Sequence, residues 1–149
     1  MPIASPPTVL FLCTGNSCRS QMAEGWARAL HGDRLRALSA GTETHGLNPR
    51  AVAVMAEAGV DISAHHSKTL NDVDLAAVDL VVTVCGHAHE TCPVLPAQVR
   101  VLHRGFDDPP ALARDAAGDD EALAPYRRVR DEIRDFVVSL PDLLAPQDT

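Results

Sequence analysis

Aromatic side chains are scarce in this chain of 149 residues: one Trp, one Tyr and three Phe, 3% of the total. A core must therefore come from Val, Leu, Ala and Ile. Lysine is scarcer still, and Lys68 is the only one. No basic run is longer than Arg127-Arg128, and the net charge is −7. These features argue against nucleic acid or an anionic membrane as a partner, since both need a positive face. No apolar stretch approaches the ~20 residues of a membrane-spanning helix. The N-terminus, MPIASPPT, lacks the positive region and long apolar segment of a secretory signal. The expected compartment is the cytoplasm, where structural disulfides are rare. Four cysteines there point to metal or redox chemistry more than to a scaffold.

What is present fits one globular domain over 1–149, with 46% apolar residues and with flexible ends at 1–7 and 142–149. The organising stretch is residues 8–26, TVLFLCTGNSCRSQMAEGW. An apolar run, Val9 to Leu12, stops at Cys13. The small and polar residues Thr14, Gly15, Asn16 and Ser17 follow, then Cys18, Arg19 and Ser20 at the start of a helical pattern. A strand closing through such a loop onto a helix start turns unpaired backbone N–H groups inward, and the helix dipole adds positive potential. Gly15 permits a positive φ, and Asn16 tolerates one. Arg19 can grip two oxygens of a tetrahedral oxyanion with its planar fork. The same field favours a thiolate at Cys13, which the Ser20 hydroxyl can support. The loop can thus hold an oxyanion and aim a nucleophile at it. Cys-x5-Arg alone is weak evidence, because a buried structural cysteine beside an ordinary turn gives the same spacing.

Further along, the pattern alternates. Residues 19–31 read as a helix with Met22, Ala23, Trp26, Ala27 and Leu30 on one face, and Glu24 and Arg28 paired on another. Leu35 to Ala40 reads as a strand. Asn48-Pro49 opens a helix whose apolar positions include Val52, Met55 and Ala56, with Gly59 at its end. Asn71 or Asp72 caps a short helix reaching Val78. Leu80 to Val84 is a strand buried on both faces, and Val99 to His103 is a fourth. GFDDPP is a turn. A last helix carries Tyr126, Val129, Ile133, Phe136, Val137 and Leu140, and Pro141 stops it. Alternating strands and helices predict an α/β fold, a four-stranded parallel sheet flanked by helices. Ligands of such sheets sit beyond the strands' carboxyl ends, where Cys13, Cys85 and Asp107–Asp108 converge.

CTGNSCRSQMAEGW resembles the phosphate-binding loop of the low-molecular-weight protein tyrosine phosphatase fold. More narrowly, it resembles the thioredoxin-coupled arsenate reductases built on that fold. The likeness continues through SAGTETHGLNPRAV, DLVVTVCG, GFDDP and RVRDEI, over about residues 8–138. It implies that Thr14, Gly15, Asn16, Ser17, Cys18 and Arg19 bind the oxyanion while Cys13 attacks arsenate. Cys85 would then attack Cys13 and release arsenite, and Cys92 would attack Cys85. Thioredoxin, an external reductant, would reduce the Cys85–Cys92 disulfide, with no bound cofactor and a monomeric enzyme. Asp108, before a proline, matches the general acid, with Asp107 its neighbour.

The residues keep alternatives open. Cys85 and Cys92, two turns apart on a helix, would lie about 10 Å from each other, whereas a disulfide needs Cα atoms within roughly 7 Å. Their segment must bend to bond, and Gly86 and Pro93 allow that. Cys85, His87, His89 and Cys92 also make a compact set of zinc ligands. A tyrosine phosphatase would need only Cys13, Arg19 and Asp108, but its acid loop should carry aromatics and offers only Phe106. The resemblance finally implies a potassium neighbourhood at Asn16, Glu24 and Ser39. The fourth position there is Lys68, whose ammonium either replaces the ion's charge or is an ordinary surface lysine.

Overall fold

The computed structural model describes residues 6–85 and 99–144. Expectations for His87, His89, Cys92 and Pro93, and for the extreme termini, lie outside the described residues. Strand β1 (Thr8–Cys13) is buried along its whole length. It has partners on both sides, parallel to β2 (Arg36–Gly41) and to β3 (Leu80–Thr83). Strand β4 (Arg100–His103) adds to β3, giving an all-parallel sheet in the order β2-β1-β3-β4. Central position explains composition: Val9 to Leu12 meet other residues on both faces and carry no polar side chain. β4, at the edge, has Val101 and Leu102 between Arg100 and His103 and is mostly exposed.

Among the described residues four α-helices complete the frame: α1 (Arg19–His31), α2 (Pro49–Glu57), α3 (Pro109–Leu112) and α4 (Asp119–Leu144). Helix α4 packs along α1, α2 and α3, burying Tyr126, Val129, Ile133, Val137 and Leu140. Asn48 caps α2, its side-chain oxygen accepting from the N–H groups of Arg50 and Ala51. The structure corrects four local expectations. The buried face of α2 is Ala51, Val54 and Met55, with Val52 partly buried against the core and Ala56 exposed. Residues 70–77 form two 3-10 turns, Leu70–Asp72 and Leu75–Ala77, capped by Thr69 and Asp74. The acid loop ends in the single turn of α3.

Pro141 does not end the last helix, which runs on to Leu144. Proline cannot supply the N–H that would bond the Val137 carbonyl. His31, buried at the end of α1, supplies one instead, with Nε2 2.8 Å from that oxygen. Arg34 donates to the other ring nitrogen at 3.0 Å, so the proton must sit on Nε2.

Candidate active site

The loop from Cys13 to Cys18 leaves β1 and enters α1. Its carbonyls are tied outward one after another. The N–H groups of Thr42, Glu43, His45 and Asn48 donate to the oxygens of Cys13, Thr14, Gly15 and Ser17 at 3.2, 3.0, 2.9 and 3.0 Å. The remaining carbonyl, of Asn16, accepts from Gln21 Nε2 at 3.1 Å. In a trans peptide the N–H points opposite to the C=O, so outward carbonyls turn the amides of residues 14–18 inward. Segment 42–48 is thus a backbone brace for the loop. It comes so close at Gly41 that a Cβ there would run into the Glu43 and Thr14 carbonyl oxygens.

The strained position is Asn16, with φ 48°. Gly15 has no positive φ. Its bareness serves close approach instead, since a Cβ would collide with the His45 ring. Asn16 is fully buried and anchored on all sides. Its Nδ2 donates to Ser20 Oγ at 2.9 Å and Ser39 Oγ at 3.0 Å, and its Oδ1 accepts from Gln21 Nε2 and the Lys68 amide. Helix α1 begins without a side-chain cap and without an acidic residue in its first turn. Its first amides therefore remain available to an anion.

The loop floors a cavity of about 580 Å³ lined by Cys13, Thr14, Gly15, Ser17, Cys18, Arg19, His45, Asn48, Cys85, Asp108 and Pro110. Residues at the carboxyl ends of β1 and β3 and in the loop after β4 thus share one cavity. Arg19 donates from NH1 to the Phe106 carbonyl at 2.9 Å and sits 3.5 Å from Asp108 Oδ1 through NH2. Its Nε is buried with no hydrogen-bond partner. An orphaned guanidinium donor is costly and calls for an acceptor, and a tetrahedral oxyanion supplies one. Asp108 caps α3 without a side-chain bond to it, and its carboxylate faces the cavity. Asp107 points elsewhere, to Arg128 at 2.9 Å.

Cys85 lies two residues past β3 and is buried, its Sγ 3.3 Å from Thr14 Oγ1. Cys13 is buried as well. Here the structure differs from the simple expectation of an acidic thiol. A hydrogen bond shared with Cys85 and then burial raise the Cys13 thiol well above the ordinary value, while Arg19 pulls it down. Two thiols in contact titrate as a pair, and the second proton is held by the first thiolate. Ser20 Oγ accepts from Asn16; the groups acting on Cys13 are Cys85, Arg19 and the Thr14 backbone. Cys18 is pushed up to about 12 by burial and stays a thiol.

Beneath the loop lies a polar cluster that the sequence reading only partly anticipated. Glu24 is 3% exposed, and Arg28 sits 2.9 Å from Oε2. Ser39 Oγ donates to Oε1 at 2.7 Å, and Lys68 Nζ lies 3.7 Å from the same oxygen. His65 Nε2 is 3.6 Å from Oε2, while Nδ1 bonds Gln21 Oε1 at 3.0 Å. Burial pushes His65 below the usual histidine value. Gln21, His45 and His65 give no signal in the sequence, and Asn48 signals only a cap. A histidine in an irregular stretch carries no periodic signal. Among the described residues, no cluster of three or more His, Cys, Asp or Glu side chains could hold a metal ion. No helix among them is long and apolar enough to cross a membrane.

A catalytic-type cysteine at the base of an amide-lined loop, an arginine closing it and an aspartate at the rim define an oxyanion-handling α/β domain. The family model for low molecular weight phosphotyrosine protein phosphatases matches residues 8–145, and the chain belongs to that family. Within it, strong likenesses are to proteins named arsenate reductase. The one from Halalkalibacterium halodurans is 53% identical over 125 residues, 84% of this chain and 88% of the relative. The one from Bacillus subtilis has the same identity over the same length and shares. A solved arsenate reductase in the oxidized state superposes with TM-score 0.76 at 30% identity, covering 93% of this chain and 98% of the other. A low molecular weight protein tyrosine phosphatase from T. tengcongensis gives 0.71 at 28% identity, covering 92% and 99%.

Proposed function

We propose that this protein reduces arsenate to arsenite through Cys13, Cys85 and Cys92, and that thioredoxin recycles it. The observation that carries the reading is the placement of a second buried cysteine, Cys85, in the same cavity as Cys13 and the amide-lined loop. Arsenate binds with its oxygens on the loop amides and on Arg19, whose orphaned Nε finds its acceptor. Cys13 attacks arsenic as the thiolate. An S–As bond forms, an As–O bond breaks, and Asp108 gives the departing oxygen its proton. Arsenic is still pentavalent at this point. Cys85 then attacks the Cys13 sulfur. The S–S bond forms, and the S–As electron pair leaves with arsenic as arsenite, so two thiols are oxidised as arsenic is reduced. Cys92 attacks Cys85, frees Cys13, and leaves a Cys85–Cys92 disulfide for the external dithiol. The enzyme works in this reading as a cytoplasmic monomer in arsenic detoxification, with weak phosphatase activity on the side.

The pair Cys13–Cys85 suits this use. Both cysteines are buried and line the one cavity before substrate arrives. Phosphotyrosine is a poorer fit. Phe106, the only aromatic residue of the acid loop, is buried against Phe136 with Arg104 over its ring, and does not line the cavity.

The test is arsenate-dependent NADPH consumption with thioredoxin and thioredoxin reductase. Wild type turns over continuously, and Cys92→Ser stalls after one turnover as a Cys13–Cys85 disulfide. Absence of arsenate turnover, together with aryl phosphate hydrolysis that requires Cys13, would overturn the proposal.

A further inference from the structure

The cluster under the loop decides whether a potassium ion belongs there. A potassium ion needs oxygens with free lone pairs. Asn16 Oδ1 already accepts from Gln21 at 3.0 Å and from the Lys68 amide at 2.9 Å. The Ser39 hydroxyl gives its proton to Glu24 at 2.7 Å. The fourth position carries an ammonium, which donates and cannot ligate. The residues present do not fit the ion.

We propose that Lys68 is a positioning residue, a tethered cation that holds the oxyanion loop in shape and frees it from dependence on alkali metal ions. This rests on reading the loop as the oxyanion site. Glu24 is a buried carboxylate, and such a group needs compensation by charge and hydrogen bonds. Lys68 contributes from two ends. Its ammonium lies 3.7 Å from Glu24 Oε1, and its backbone N–H bonds the side chain of Asn16. Between those ends runs a closed chain: Asn16 to Ser39 at 3.0 Å, and Ser39 to Glu24 at 2.7 Å. One residue therefore fixes both the left-handed Asn16 and the acid that anchors it. The Lys68 side chain is only 16% exposed, so it is not an ordinary solvated lysine. Burial keeps His65 neutral, which leaves two fixed cations, Lys68 and Arg28, facing one carboxylate. That carboxylate is joined through Ser39 to Asn16 of the loop.

The experiment compares wild type, Lys68→Gln, Lys68→Arg and Lys68→Asp in potassium chloride and choline chloride at equal ionic strength. Melting temperature and arsenate KM and kcat are read in each. Wild type and Lys68→Arg should respond identically to the two salts. Lys68→Gln should raise arsenate KM about tenfold, the scale of one charge-assisted contact, with kcat little changed. Lys68→Asp places a second carboxylate at Glu24 and should melt higher in potassium than in choline. A potassium-specific rise in wild-type melting, or a folded Lys68→Gln with unchanged KM, overturns the inference. The melting comparison uses no substrate. A wild type that fails to reduce arsenate but melts alike in both salts therefore counts against the proposed reaction alone.

Discussion

Arg19 shows how much a single side chain carries. Its NH groups are committed to Phe106 and Asp108, and its Nε waits for an acceptor. Lysine keeps the charge but has no planar fork. Arg19→Lys should lower kcat/KM for arsenate by about a hundredfold or more, the scale of one lost oxyanion donor. Steady-state kinetics on the folded variant check this, and an activity within threefold of wild type would contradict it. His65 makes a prediction in pH. Burial lowers its folded value below the ordinary 6.5. As pH falls below that value, the unfolded chain binds a proton that the folded one refuses. The stability present above pH 6.5 is therefore lost toward the lower folded value. Melting curves between neutral and mildly acidic pH should fall more steeply for wild type than for His65→Gln. Equal slopes would remove His65 from the account.

At the scale of elements, two joints can be tested separately. His31→Phe leaves the Val137 carbonyl without a donor and should cost about 1–3 kcal/mol. Pro141→Ala restores the backbone N–H, so the double variant should recover most of that loss in denaturant melts. Additive effects would mean that the imidazole does not stand in for the missing amide. Gly41→Ala drives a methyl into two backbone oxygens of the brace and loop. It should cost about 1–3 kcal/mol and weaken arsenate binding at the same time. These joints mark the boundary of what sequence reveals. The strands and the Cys13–Arg19 loop were legible because apolar runs, small residues and a helix start lie next to one another in the chain. The meeting of Cys13, Cys85 and Asp108 followed from the rule for strand ends. The passage of α4 through Pro141 was not legible, because its remedy is His31, more than a hundred positions away. The inward face of α2 is not legible because Ala56 and Ala51 are alike in composition and differ only in what packs on them. The burial of Glu24 was hidden for a similar reason. Its i,i+4 partner Arg28 suggests a surface pair; the family resemblance groups Ser39 and Lys68 with it, and the fold adds His65 to the same carboxylate.

For the molecule as a whole, a charge of −7 surrounds a site built for a dianion. The overall field repels the substrate, and only the local amides and Arg19 reverse it. Salt screens the long-range part first, so kcat/KM for arsenate should rise as ionic strength goes from about 0.01 M to 0.1 M. A fall over that range would show that attraction, not repulsion, governs the approach. The outward-tied carbonyls have one more consequence. A loop whose grip comes from main-chain amides measures only size and charge, and phosphate has nearly the size and charge of arsenate. The cell's abundant phosphate must therefore occupy the same cradle and act as a competitor. In the proposed relay, selection is left to the step after capture. A thiol can expel trivalent arsenic with an electron pair, but it has no such exit with phosphorus. The protein is forgiving about what it admits and strict about what it can finish.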